Sequence, residues 1–139
     1  MNPNKFEYFE VTADIGVKVW GFNINEIFEN TAIAVTSLML DPLKIGKKIV
    51  KEFFIGGNDI SSLLINWITE LLIIRDSEGI LFSSFEVNVS NDGKSLNAKT
   101  YGDYFTGNNL EMDIKAITYS MFKLEKLEGY YYLQFVLDI

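Results

Sequence analysis

Ile60-Ser61-Ser62-Leu63-Leu64-Ile65-Asn66-Trp67-Ile68-Thr69-Glu70-Leu71-Leu72-Ile73-Ile74 is the stretch that decides the fold. Read at 3.6 residues per turn, its polar positions Ser62, Asn66, Thr69 and Glu70 gather into one narrow stripe, and the other sides are apolar. Such a helix packs on several faces, so it is expected at the centre of the molecule over about residues 60–75. It is no membrane span: at 1.5 Å per residue it reaches about 22 Å, short of a bilayer core of about 30 Å. Its serines, asparagine and glutamate also make it too polar.

Working outward, Gly56-Gly57-Asn58-Asp59 reads as a turn in which Asn58 or Asp59 caps that helix. Lys47–Ile55 before it reads as a strand. Further upstream, Asn23 and Glu26 have capping-box spacing. Ile24, Ile27, Phe28, Thr31, Val35, Leu38 and Met39 then form a helical stripe, which Asp41-Pro42 stops. Lys5–Val11 and Val17–Phe22 are rich in aromatic and β-branched residues and read as strands, with Thr12–Gly16 as the connection. Downstream, Phe85–Ser90, Leu96–Phe105, Asp113–Lys123 and Tyr130–Asp138 read as strands, with turns at Asn91-Asp92-Gly93 and Glu128-Gly129. Two helices early and strands late imply an α+β fold, two main helices packed on a largely antiparallel β-sheet in a single compact domain over residues 1–139.

Composition removes whole classes of chemistry. The 139 residues include no cysteine and no histidine. Disulfides, zinc fingers, thiol nucleophiles and Ser-His-Asp triads are therefore excluded. A metal must be held by oxygen, which selects calcium, magnesium or manganese. Hydrophobic residues at 48% against 22% charged exclude disorder. A net charge of -7 opposes wrapping of nucleic acid and suits a basic partner. The opening residues Met1 to Glu7 carry no apolar run of the secretory kind, so a cytosolic protein is expected.

Few residues can carry chemistry. Asp14 lies in a short connection after a strand, and Asp138 is followed by Ile139, whose α-carboxylate lies close to it. If the first and last strands are neighbours, three carboxylates share one corner. Two such charges about 5 Å apart at an effective dielectric near 20 repel by roughly 3 kcal/mol. A cation relieves that repulsion, and a hard divalent ion with six to eight oxygen ligands fits. On residue type alone, Asp14 reads as a turn residue and Asp138, with the terminus, as a solvated tail. Lys115, in the strand Ile114-Lys115-Ala116-Ile117-Thr118-Tyr119, is either functional or a lysine snorkelling off a sheet rim. Glu70 is either the wet side of its helix or a buried acid with a partner. Tyr130-Tyr131-Tyr132 reads as packing rather than base stacking, Gly56-Gly57 lacks the Lys-Ser/Thr of a phosphate loop, and Lys44, Lys47, Lys48 and Lys51 read as a solvated edge.

Five segments, in order, resemble the archease family. Phe9-Glu10-Val11-Thr12-Ala13-Asp14-Ile15-Gly16 is similar to its His-Thr-Ala-Asp-Ile/Val-Gly opening, and Ile27-Phe28-Glu29-Asn30-Thr31-Ala32 to its first-helix signature Ala-Phe-Glu-Asn-Ala-Ala. Leu63–Leu72 resembles its Leu-Leu-Val-Asp-Trp-Leu-Asn-Glu-Leu-Leu segment. Asp113–Tyr119 resembles Glu-Val-Lys-Ala-Val-Thr-Tyr, and Phe135–Ile139 its Asp-Ile ending. The chain departs from the pattern at Val11, where the family has histidine, at Asn66 in place of aspartate, and at Thr69 in place of asparagine.

The resemblance implies a small α+β protein that assists an RtcB-type, GTP-dependent RNA ligase of tRNA splicing and RNA repair by promoting the ligase–GMP intermediate and turnover. It implies no enzymatic activity of its own. Residue by residue, it selects Asp14, Asp138 and Ile139 as ligands of a divalent cation, calcium first, with magnesium or manganese as alternatives. It selects Lys115 as a contact to the ligase, and leaves Glu70 as a second candidate contact. No stable nucleic-acid binding and no membrane association are expected. The rival reading, also proposed for this family, is a chaperone or specificity modulator of an RNA-modifying enzyme such as a tRNA methyltransferase. A metal-dependent hydrolase of small phosphates is a third.

Overall fold

The computed structural model describes residues 4–139, so the reading on Met1 to Pro3 lies outside it. In chain order the elements are β1 (Phe6–Val11), β2 (Asp14–Gly21), α1 (Ile24–Met39), β3 (Ile49–Gly56), α2 (Ile60–Glu78), β4 (Ile80–Val89), β5 (Ser95–Tyr104), β6 (Ala116–Leu127) and β7 (Tyr130–Asp138). Every strand pairing is antiparallel. The strands divide between two sheets, β1-β2-β7-β6 and β3-β5-β4, rather than forming one. The α+β class with two main helices stands; alternation marks a strand's faces but not its neighbours, so the division was invisible to it.

Each helix touches both sheets: α1 packs on β2 and β4, α2 on β6, β4 and β3. The stripe of α1 supplies Ile27, Phe28, Ala32 and Val35 to the core, and α2 supplies Leu63, Leu64, Trp67 and Ile68. Trp67 is fully buried in edge-on contact with Phe53 and Phe85, and its Nε1 donates to the Phe28 carbonyl at 3.1 Å. Thus α2 is central, as its composition demands.

The caps follow from side-chain chemistry. Asn23 accepts from the Glu26 N–H at 2.9 Å and opens α1. Asp59 accepts from the Ser62 N–H at 2.8 Å while the Ser62 hydroxyl accepts from the Asp59 N–H, closing a capping box. The Ser62 N–H, helped by the Ser62 hydroxyl, holds the Asp59 carboxyl below its usual range. Gly57 lets β3 run close under this helix start, since a Cβ there would meet the Leu63 nitrogen at 2.7 Å. At the other end α2 runs to Glu78 and stops at Gly79, whose φ of 68° is left-handed.

Candidate functional site

β1 and β2 form a hairpin whose register pairs Val11 with Asp14, leaving only Thr12 and Ala13 as the turn. The expected connection Thr12–Gly16 is therefore shorter: Asp14, Ile15 and Gly16 belong to β2. Ala13 takes φ 62°, a left-handed conformation costing an L-residue roughly 1–2 kcal/mol. Gly16 is needed for a different reason than a turn. The Phe9 ring of β1 lies where its side chain would be, 2.1 Å from an added Cβ, and the Lys18 Nζ sits 5.4 Å from that ring's centre.

β2 then pairs with β7, and Asp14 stands directly opposite Asp138. The first hairpin and the last strand are neighbours. Directly opposed residues project to one face of a sheet with Cβ atoms about 5 Å apart, and like charges so placed are destabilising. Asp14 is half-buried and Asp138 exposed. The Ile139 side chain packs against the core, which anchors the chain end beside them. An open depression of about 700 Å³ lies here, lined by Glu10, Val11, Thr12, Ala13, Asp14, Ile15 and Ile139. Glu10 adds an acid to the rim that sequence reading quoted only as part of a motif. Val11, an apolar residue, also lines the depression.

Two further observations define what this corner can hold. Among the described residues no cationic side chain forms an ion pair with Asp14 or Asp138. Nor, among the described residues, do three His, Cys, Asp or Glu side chains gather closely enough to bind a metal. The donors available at this corner are oxygens, the hard type that suits calcium, magnesium or manganese.

Lys115 is exposed and immediately precedes β6. Its N–H donates to the Asp138 carbonyl at 2.8 Å, while Ala116 is the ladder partner of the same residue. So Lys115 joins the corner through its backbone, and its ammonium pairs with no acid among the described residues. Glu70 does not join it. It lines a separate groove of about 400 Å³ with Asn66, Thr69 and residues 53–56 of β3, where Asn66 donates to the Gly56 carbonyl at 2.9 Å.

The other features resolve into structure. Tyr132 packs against Trp20 with ring centres 5.6 Å apart, and its hydroxyl donates to Gln134. Lys51 pairs with Glu78 of α2. Arg75, on the contrary, escaped sequence reading altogether. It is buried, 6% exposed, and reaches the segment that carries Lys115. The available signal was its rarity: it is the only arginine among twelve cationic side chains.

The Archease protein family model matches residues 6–139. Protein archease of Sulfurisphaera tokodaii is 45% identical over 137 residues, covering 97% of this chain and 99% of the relative. Protein archease of Pyrococcus abyssi is 41% identical over 140 residues with the same coverage. Among solved structures, that of Methanobacterium thermoautotrophicum protein 1598 superposes with a TM-score of 0.82 at 33% identity, covering 97% of this chain and 99% of that one. An archease of Thermotoga maritima, described as a possible chaperone, shares the fold with a TM-score of 0.66 at 18% identity over 94% of each chain.

Proposed function

The chain belongs to the archease family, and from that membership we propose that it is a cytoplasmic, non-catalytic protein cofactor of an RtcB-type, GTP-dependent RNA ligase acting in tRNA splicing or RNA repair. The observation that carries this reading is the cross-strand pairing of Asp14 with Asp138, two carboxylates with no described cationic side chain to neutralise them. In it, Asp14, Asp138 and the Ile139 α-carboxylate hold a divalent cation, calcium, with magnesium or manganese as alternatives. The cation supplies positive charge at an otherwise acidic surface. Asp14 and Asp138 keep that charge at a rigid ladder position, and Lys115 offers a second positive group beside it. Both face the ligase, whose own nucleophile attacks GTP. The contribution is positioning and electrostatics, which dominate phosphoryl transfer. The acidic protein makes no stable contact with RNA of its own.

Single-turnover guanylylation of the cognate ligase, with and without this protein, tests the reading. Acceleration that disappears in Asp14→Asn and Lys115→Ala, both still folded, is the expected result; no acceleration by the wild type removes the proposal. The description of the Thermotoga maritima protein as a possible chaperone supports the rival. A chaperone would suppress partner aggregation in proportion to dose, equally in wild type and in both variants.

A further inference from the structure

One peptide plane connects the buried Arg75 to the carboxylate corner. The Arg75 Nη1 donates to the Ile114 carbonyl at 2.7 Å. The N–H of that same peptide unit is the Lys115 N–H, which donates to the Asp138 carbonyl at 2.8 Å. A peptide unit is planar and rigid, so fixing its oxygen and its hydrogen fixes the plane from which the Lys115 side chain departs. We propose that Arg75 is a positioning residue that orients Lys115 beside Asp138; this rests on the reading that Lys115 contacts the ligase.

The rest of the arginine's surroundings hold it for that task. Nη1 also lies 3.2 Å from the Met39 sulfur at the end of α1, Nε donates to Asp76 at 2.8 Å, and Nη2 stands 3.8 Å from Asp113. The two acids are exposed and the guanidinium is buried, so the bonds into the interior are those to Ile114 and Met39. Between β5 and β6 the chain is tied by backbone bonds from Phe105 to Gly79 and from Glu111 to Met39. After Glu111, the Ile114 side chain is buried in the core, and the peptide that follows is held at its N–H by Asp138 and at its oxygen by Arg75. A planar fork with several donors can serve a carbonyl, a carboxylate and a thioether together, whereas the strongly hydrated lysine ammonium suits such a buried site poorly. That accounts for an arginine here in a chain that otherwise uses lysine.

Two measurements on Arg75→Gln test the proposal. Amide hydrogen exchange, read on this protein alone, is expected to speed up about tenfold or more at Lys115 while the amides of α2 keep their protection. In ligase guanylylation the maximal stimulated rate should fall roughly tenfold to a hundredfold with the half-saturating concentration little changed. Combining Arg75→Gln with Lys115→Ala should lower the rate no further than Lys115→Ala alone. Arg75→Lys, which keeps the charge but a single donor nitrogen, is expected between wild type and Arg75→Gln, and decides the matter if Arg75→Gln does not fold. Wild-type exchange at Lys115 in the folded variants, or losses that multiply in the double variant, would overturn the proposal. Failure of the wild type to stimulate the ligase strikes the functional reading instead, and the exchange result then still decides whether Arg75 orients Lys115.

Discussion

Asp14 and Asp138 occupy one rung of the β2–β7 ladder, and like charges directly opposed across a strand pair destabilise it. Asp14→Asn is therefore expected to raise the melting temperature when all divalent ions are chelated. Calcium reverses the order: at a hundred times its Kd it stabilises the wild type by about 2.7 kcal/mol and the variant much less. Equal calcium shifts in both proteins, read by scanning calorimetry, would separate Asp14 from the site. Tyr8 carries a different charge effect. Its hydroxyl donates to the Ala34 carbonyl at 2.6 Å, and burial pushes the phenol up to about 12. An unfolded tyrosine ionises near 10, so the stability from neutral Tyr8 is complete below that pH and is lost as pH rises from about 10 to about 12. Tyr8→Phe should flatten this alkaline limb in urea melts between pH 9 and 12, although it loses the bond to Ala34 at neutral pH.

At the scale of elements, α1 holds the two sheets together with three side chains. Asn30 donates to the Trp20 carbonyl of β2 at 2.8 Å, while Asn25 and Glu29 accept from the Val89 and Val87 N–H groups of β4 at 2.8 and 2.9 Å. β4 is an edge strand, and these acceptors cover donors that would otherwise invite a foreign strand. Burial, with added repulsion from Glu26 and Glu86, raises the Glu29 carboxyl above its ordinary value despite the bond from Val87. The folded protein thus holds that proton more tightly than the unfolded chain. The corresponding stability is present below the ordinary carboxylate range and is lost as pH rises through the raised value. Glu29→Gln keeps an acceptor without the charge, and is expected to be at least as stable as wild type at pH 7. Glu29→Ala strands the Val87 N–H and should cost about 1 kcal/mol; denaturant midpoints decide both. In Phe28-Glu29-Asn30 of this chain, one side chain thus fills the core and two tie the helix to the sheets. Both helices were legible because their caps and stripes are local. The start of β2 was not, because aspartate and glycine are poor strand formers and Gly16 is dictated by the Phe9 ring across the hairpin. Ile80-Leu81-Phe82 is buried throughout, so the beginning of β4 gave no alternation to read.

The whole molecule decides whether the candidate site exists at all, since its donors lie 124 positions apart between Asp14 and Asp138. Periodicity assigns those residues to strands but names no partner strand; only the order β1-β2-β7-β6 places the first hairpin against the last strand. In the sequence, the corner was legible through the family resemblance rather than through any spacing. Sheet order also makes the chain end testable apart from the fold. Ile139 packs its side chain on the core and β7 is registered through Asp138, so residues added after Ile139 leave the ladder and the two aspartates in place. A Gly-Ser extension carries the α-carboxylate up to about 7 Å away. Melting in chelator should be unchanged. Calcium binding by titration calorimetry should weaken on the order of tenfold, the loss of one charged oxygen donor from a site whose affinity is set by ligand charge count. Unchanged affinity would strike Ile139 from the ligand set and leave Asp14 and Asp138 dependent on a partner for every further ligand, so the same extended protein should then bind calcium measurably better once the ligase is present.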